Sequence, residues 1–202
     1  MSVKSKLAFA IAVASVSAMA LTVPAQASNL LTNGSFETGN FTGWALSGNT
    51  GATGVTTTFD GFTPEDGIYQ AYLGPVGSDG ILSQTFSDTL GQSLLVSFYF
   101  GSDGNTPNDF SATFDGGTLI SGNNWSQPYM HYTYVVLGNA SDTIEFTFRN
   151  DPGYQFLDNV SVTELTATPL PSTWTMLIAG FLGLGYFAYR GTKKGSAAVA
   201  AA

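Results

Sequence analysis

The run Leu94-Leu-Val-Ser-Phe-Tyr-Phe100 decides the fold. Leu94, Val96, Phe98 and Phe100 fall on one side of an extended chain and Leu95, Ser97 and Tyr99 on the other, the period of a half-buried strand. The same alternation recurs in Phe110, Ala112 and Phe114 and in Ile144, Phe146 and Phe148. Strand-like runs also cover residues 41–46, 55–59, 68–73, 81–86, 129–136 and 154–163. Turn chemistry separates them: Gly101-Ser-Asp-Gly-Asn105, Asp115-Gly-Gly117, Gly138-Asn139 and Asn150-Asp-Pro-Gly153. About nine or ten short strands with such spacing predict an all-β domain, an antiparallel β-sandwich of the jelly-roll kind. No stretch before Leu170 has a helical period, and no internal repeat is evident.

The two ends of the chain read differently. Lys4 and Lys6 precede an apolar run over 7–21, then Pro24 and Ala25-Gln26-Ala27, the layout of a secretory signal peptide over residues 1–27. At the other end, a linker over 167–173 holds Pro169, Leu170, Pro171, Ser172 and Thr173. It leads into residues 174–189, which begin with Trp174 and carry no charge, and then into a basic tail over 190–202 with Arg190, Lys193 and Lys194. The apolar run is expected to form a transmembrane helix of roughly 24 Å, somewhat short of the roughly 30 Å hydrocarbon layer. The basic cluster then stays cytoplasmic and the bulk of the chain lies outside.

Together the proline frame, Ser-Thr-Trp, the Gly/Leu-rich span and the basic end resemble the PEP-CTERM sorting signal, with Leu170 where that family has glutamate. The resemblance implies an exosortase-type processing enzyme as partner. It also implies export, anchoring at the inner membrane at least in transit, and a final place at the cell surface or in an extracellular matrix.

Removing both addresses leaves residues 28–166, an ordinary single-domain length able to bury a sizeable core. All fourteen acidic residues of the chain lie here against one base, Arg149, a net charge of −13. A polyanion lacks the clustered lysines and arginines that phosphate backbones demand, so nucleic acid is excluded as a partner. The absence of cysteine removes disulfides, thiol catalysis and thiolate metal sites.

Two carboxylates resist a purely structural reading. By strict alternation Asp158 shares a face with Phe156, Val160 and Val162, and a lone buried carboxylate is costly without a cation or several donors. Glu37 sits beside Phe36 near the start of the domain. In a jelly roll whose first and last strands adjoin, Glu37 and Asp158 are expected to meet, and calcium is the cation that suits such oxygen ligands. The alternative is that loop amides or Arg149 satisfy Asp158. Asp103 and Asp109 form a second acidic loop without EF-hand spacing.

The motifs Asn29-Leu-Leu-Thr-Asn-Gly-Ser-Phe-Glu-Thr-Gly39, Trp44 and Phe156-Leu-Asp-Asn-Val-Ser-Val162 resemble the galactose-binding-like jelly rolls of carbohydrate-binding module families four and nine. That resemblance implies a structural calcium at Glu37 and Asp158 and an extracellular polysaccharide as ligand. A glycan site needs exposed rings with a few amide and hydroxyl groups. Trp125, in a polar loop beside Asn124, is the first candidate. Tyr129 and His131 follow, on the face opposite Met130, Tyr132, Tyr134 and Val136.

Catalysis has little to stand on. His131 is the single histidine and no Gly-x-Ser-x-Gly elbow occurs, so only a carboxylate-pair glycoside hydrolase stays open. The expected function is a non-catalytic, exported polysaccharide-binding protein; the competing reading is a structural or adhesive matrix protein without a specific sugar. N-terminal sequencing of the exported protein is expected to begin at Ser28, and a start at Met1 refutes the signal peptide.

Overall fold

The computed structural model describes residues 28–165 and 172–195. Ten strands form: β1 (Ala45–Gly48), β2 (Thr53–Thr56), β3 (Gln70–Leu73), β4 (Gly80–Ser87) and β5 (Ser93–Ser102), then β6 (Asn108–Phe114), β7 (Gly117–Asn123), β8 (Gln127–Leu137), β9 (Ser141–Asn150) and β10 (Gln155–Glu164). They pair antiparallel in two five-stranded sheets, ordered β1-β4-β9-β6-β7 and β2-β3-β10-β5-β8. The all-β sandwich expected from alternation is therefore present. β7 lay outside the strand-like runs, because Gly117, Ser121, Gly122 and Asn123 dilute its two apolar residues.

The inward positions of the two sheets interdigitate as aromatic layers. Phe100 stacks on Phe110 with centroids 3.7 Å apart, and Phe98 meets Phe146 edge-on at 5.3 Å. Each such ring is fully buried and contributes on the order of 2–3 kcal/mol of transfer free energy. Tyr132, Tyr134 and Val136 pack against this core as alternation required, whereas Met130 on the same side of β8 is half exposed.

The first segment and the last strand are neighbours. Asn29 bridges Thr163, the Leu30 N–H donates to the Val162 carbonyl, and the Val160 N–H donates to the Gly34 carbonyl. In the Asn33 motif the side-chain amide spans to the Asn40 and Thr42 carbonyls while its oxygen accepts the Thr38 N–H. That turn sends Phe36 into the core and is braced by the Trp44 indole N–H on the Asn33 carbonyl at 3.0 Å.

One expectation about β10 is overturned. A register shift between Asp158 and Ser161, with Asn159 at φ +47°, switches the faces of the strand. Leu157 faces the core opposite Phe100, as do Val160 and Val162 beyond the shift. Phe156 and Asp158 instead lie on the outer face, in register with Gly101 and Tyr99. They do not share a face with Val160 and Val162.

Helix α1 (Ser172–Gly195) forms over the C-terminal apolar run, with Trp174, Ile178, Phe181 and Leu182 exposed. Among the described residues no helix is long and apolar enough to cross a membrane. The transmembrane expectation is corrected accordingly: Gly180, Gly183, Gly185, Tyr186 and Tyr189 dilute an uncharged run that Arg190 ends. The signal peptide over 1–27, the frame Pro169, Leu170 and Pro171, and the end of the tail lie outside the described residues. The helix backbone includes Ser172, Thr173, Arg190, Lys193 and Lys194.

At the end of the sandwich, Asp142 is fully buried at the start of β9, both oxygens accepting the Asn139 N–H at 3.0 and 3.1 Å. Burial first, then the hydrogen bond and charge of Asp115 and contact with Asp88, push its carboxyl up to about 6 against the pull of the Asn139 N–H. A carboxyl whose pKa rises on folding contributes stability at low pH that is lost as pH rises through the folded value, here about 6. Asp142→Asn keeps an acceptor and carries no charge. Its melting temperature is expected to exceed the parent's at about pH 7.5 and to converge on it below about pH 3.8, the unfolded value; a pH-independent offset contradicts this.

Candidate functional site

The loop joining β2 to β3, residues 57–69, folds back over the outer face of the sheet that holds β10. Buried polar groups tie it down. Gln70, fully buried at the start of β3, donates from its amide to the Thr57 and Phe62 carbonyls, each at 2.8 Å, and accepts the Tyr129 hydroxyl at 2.7 Å. Asp158, also fully buried, accepts the Glu65 and Asp66 N–H groups on one oxygen at 2.7 and 3.1 Å and the Asn159 N–H on the other at 2.7 Å. Glu37 accepts the Ile68 and Tyr69 N–H groups, both at 2.9 Å.

Rings complete the attachment. Phe62 stacks on Phe156 at 4.1 Å, which is possible because residue 101 has no side chain: a Cβ there would lie 2.4 Å from the Phe62 ring. Tyr129 meets Phe62 edge-on at 5.5 Å and Phe59 meets Tyr154 at 4.9 Å. Burial drives the Tyr129 phenol well above its ordinary range, helped by the negative charges of Asp158 and Glu65. Asp158 itself is pushed up to about 6 by burial, with its three amide partners opposing.

Glu37 and Asp158 are thus brought to the same loop, as the jelly-roll topology required, and the alternative that loop amides satisfy Asp158 describes its hydrogen bonding. Arg149 is not its partner; that side chain pairs with Asp151 at 2.8 Å. Among the described residues no group of three or more His, Asp or Glu is arranged to hold a metal ion. An oxygen-only pair of carboxylates suits calcium in kind, and backbone carbonyls must complete any shell around it.

The loop walls a groove at the end of the sheet. A depression of about 490 Å³ is lined by Asp60, Phe62, Ser102, Asp103, Asn105 and the 126–128 segment. It shares Asp60, Asp103 and Asn105 with a second depression of about 360 Å³ reaching Tyr154. It shares Phe62 and Pro128 with a third of about 260 Å³ that ends at Glu65 and Tyr129. Asp103 builds the far wall: one oxygen accepts the Asn105 N–H and the Asn150 amide, the other the Asn105 amide and the Tyr154 N–H, all within 3.0 Å. Asp60 is exposed, at φ +49°.

The aromatic residues expected to bind ligand sit around this groove unevenly. Trp125 turns inward, edge-on to Phe100 at 5.7 Å and half-buried, with its indole nitrogen buried without an acceptor. Asn124 is a turn residue at φ +53° whose N–H donates to the Asn108 carbonyl. Tyr129 lines the groove from beneath the loop. His131 lies apart, exposed on the open sheet face, stacked on Tyr99 at 4.5 Å and bonded to the Ser97 hydroxyl at 2.7 Å. Ser126, Gln127 and Pro128 line the groove, and Trp125 does not. Asp60, Phe62 and Asn105 carried no sequence signal as groove residues; the Gly/Asp/Asn composition of their loops was the only hint.

Neither a comparison with protein-family models nor one with curated proteins gives a match. Solved structures share the fold. TmCBM61, in complex with β-1,4-galactotriose, aligns with 68% of this chain and 99% of its own at 19% identity and TM-score 0.53. The CBM22-1 xylan-binding domain of Paenibacillus barcinonensis Xyn10C aligns over 70% and 97% at 18% identity and TM-score 0.50. The enzymatically active domain of the bacteriophage CBA120 tailspike protein 4 aligns over 68% of this chain at 22% identity and TM-score 0.52, but over only 21% of its own length.

Gly67 tests the loop anchor. It has φ +67°, and a Cβ would lie 2.3 Å from the Glu37 carboxyl, whereas Gly61 at φ +82° has nothing within 4 Å. Gly61→Ala is expected to cost roughly 1–2 kcal/mol of backbone strain, and Gly67→Ala more by on the order of 1 kcal/mol or above, because it also displaces Glu37. Equal losses in urea unfolding would show that Glu37 does not hold the loop.

Proposed function

We propose that the sandwich is a non-catalytic carbohydrate-binding module whose ligand lies in the groove beside loop 57–69. The observation that carries this reading is the lining itself. Carboxylate, amide and hydroxyl groups of Asp60, Asn105, Ser102 and Gln127 surround the ring of Phe62 in a depression of about 490 Å³. Such a mixture suits a sugar, whose hydroxyls need both donors and acceptors and whose C–H faces favour a ring, and the volume is that of ordinary ligand sites. An acidic lining without a base disfavours anionic polymers and favours a neutral glycan. The fold shared with a galactotriose-bound module and a xylan-binding module supports the same class of ligand. Against catalysis, neither Asp142 nor Asp158, the carboxyls pushed up to about 6, lines the groove.

The reading extends to the rest of the chain. The signal peptide and the PEP-CTERM-like end support export and handling by an exosortase-type enzyme, leaving the module at the cell surface or in an extracellular polysaccharide matrix. A calcium ion held by Glu37 and Asp158 belongs to this proposal. Its support is that the Glu37 and Asp158 carboxylates both bind the 57–69 loop while Arg149 pairs elsewhere.

Affinity electrophoresis through gels containing the producing cell's exopolysaccharide tests the central reading. The wild type is expected to be retarded. Asp60→Asn, which keeps a residue tolerant of positive φ but removes a charged acceptor worth about 1.5–3 kcal/mol, should weaken binding roughly tenfold or more. His131→Ala should leave it unchanged, and calcium should raise the melting temperature. Unretarded migration in every gel would favour a matrix protein acting through protein contacts.

A further inference from the structure

A two-sheet sandwich has four edge strands, and three of them here are blunted. β1 and β2 are four residues each, and β7 is seven residues with a register shift opposite Ala112 and Thr113. β8 is eleven residues long and, among the described residues, pairs with β5 alone, in unbroken register from Ser93↔Leu137 to Phe100↔Met130. Its other side therefore presents a row of unpaired backbone donors and acceptors, the template onto which another strand adds.

The side chains do nothing to discourage that addition. Edge strands are ordinarily protected by lysines, inward-pointing charges or proline. Residues 116–141 contain no Asp, Glu, Lys or Arg, and only Pro128, at the start of β8, interrupts the template. Tyr, Thr and Val dominate the strand, residues that form favourable cross-strand pairs. Val135 and Leu137 are 65% and 69% exposed, although β8 packs its other side against the core.

Charge selects the partner. The rest of the segment carries fourteen acidic residues against Arg149, so two copies of this chain repel each other across most orientations. β8 and its neighbour β5 are both without charged residues, and β8 opposes itself in any antiparallel register without placing like charges face to face. A cationic partner would be drawn instead to the acidic loops. We propose that β8 of a second copy of this chain adds antiparallel to β8, joining two five-stranded sheets into one continuous sheet about a twofold axis. The pairing runs over 129–137 and meets the groove lining only at Tyr129.

The chain has no cysteine, so a single introduced thiol reports one contact. The full chain in mild detergent, which covers α1, is expected to sediment as a dimer. Thr133→Cys, near the middle of β8, should then form an interchain disulfide that Leu90→Cys, 71% exposed in a loop, does not. Val135→Lys with Leu137→Lys should return the protein to monomer, while Leu90→Lys leaves the dimer intact. A monomeric wild type, a dimer that survives both lysines, or Thr133→Cys cross-linking no faster than Leu90→Cys overturns the proposal.

Discussion

The buried carboxylate of Asp158 is the constraint on which the functional end of the molecule depends. The register shift in β10 turns it onto the outer face of the sheet, where it accepts three backbone N–H groups. Two of those belong to loop 57–69, so satisfying the carboxylate and fixing the loop are the same event. Amide dipoles stabilise the charge, and burial raises its pKa to about 6. Gln70 and Glu37 extend the attachment to the loop's two ends, and Phe62 on Phe156 adds the apolar contact.

A loop held in this way presents a preformed wall, so the proposed binding requires no ordering of its shape. Opposite it, Asp103 draws the 103–105 turn and Tyr154 together through four donors, so both sides of the groove rest on buried or hydrogen-bonded backbone. Preorganisation matters for a weakly apolar ligand such as a sugar, because each side chain immobilised on binding subtracts from affinity. Elsewhere the surface divides into an acidic majority and an uncharged strip along β5 and β8. The first keeps copies apart, and the second is where they meet.

Much of the fold was legible because Phe98, Phe146 and their neighbours obey a strict period of two over long strands. β7 escaped because an edge strand of glycine and serine has no such pattern. The face assigned to Asp158 failed for a definite reason: one extra residue at a bulge inverts everything beyond it, and alternation carries no mark of where that residue lies. Its need for several donors was still readable, since a buried carboxylate has few alternatives. The groove was hardly legible. Its side chains come from segments far apart in sequence, and only the folded chain brings Asp60 beside Asn105 and Ser126. Trp125 was misplaced because a tryptophan in a polar loop reads as a ligand platform, while here its ring closes the end of the core against Phe100.

Amide hydrogen exchange on the folded protein tests the loop attachment most directly. If Asp158 and Glu37 hold the loop, the amides of Glu65, Asp66, Ile68 and Tyr69 will exchange slowly, with protection approaching that of β10. Exchange at the rate of an unstructured loop would contradict the account, and with it the preformed groove.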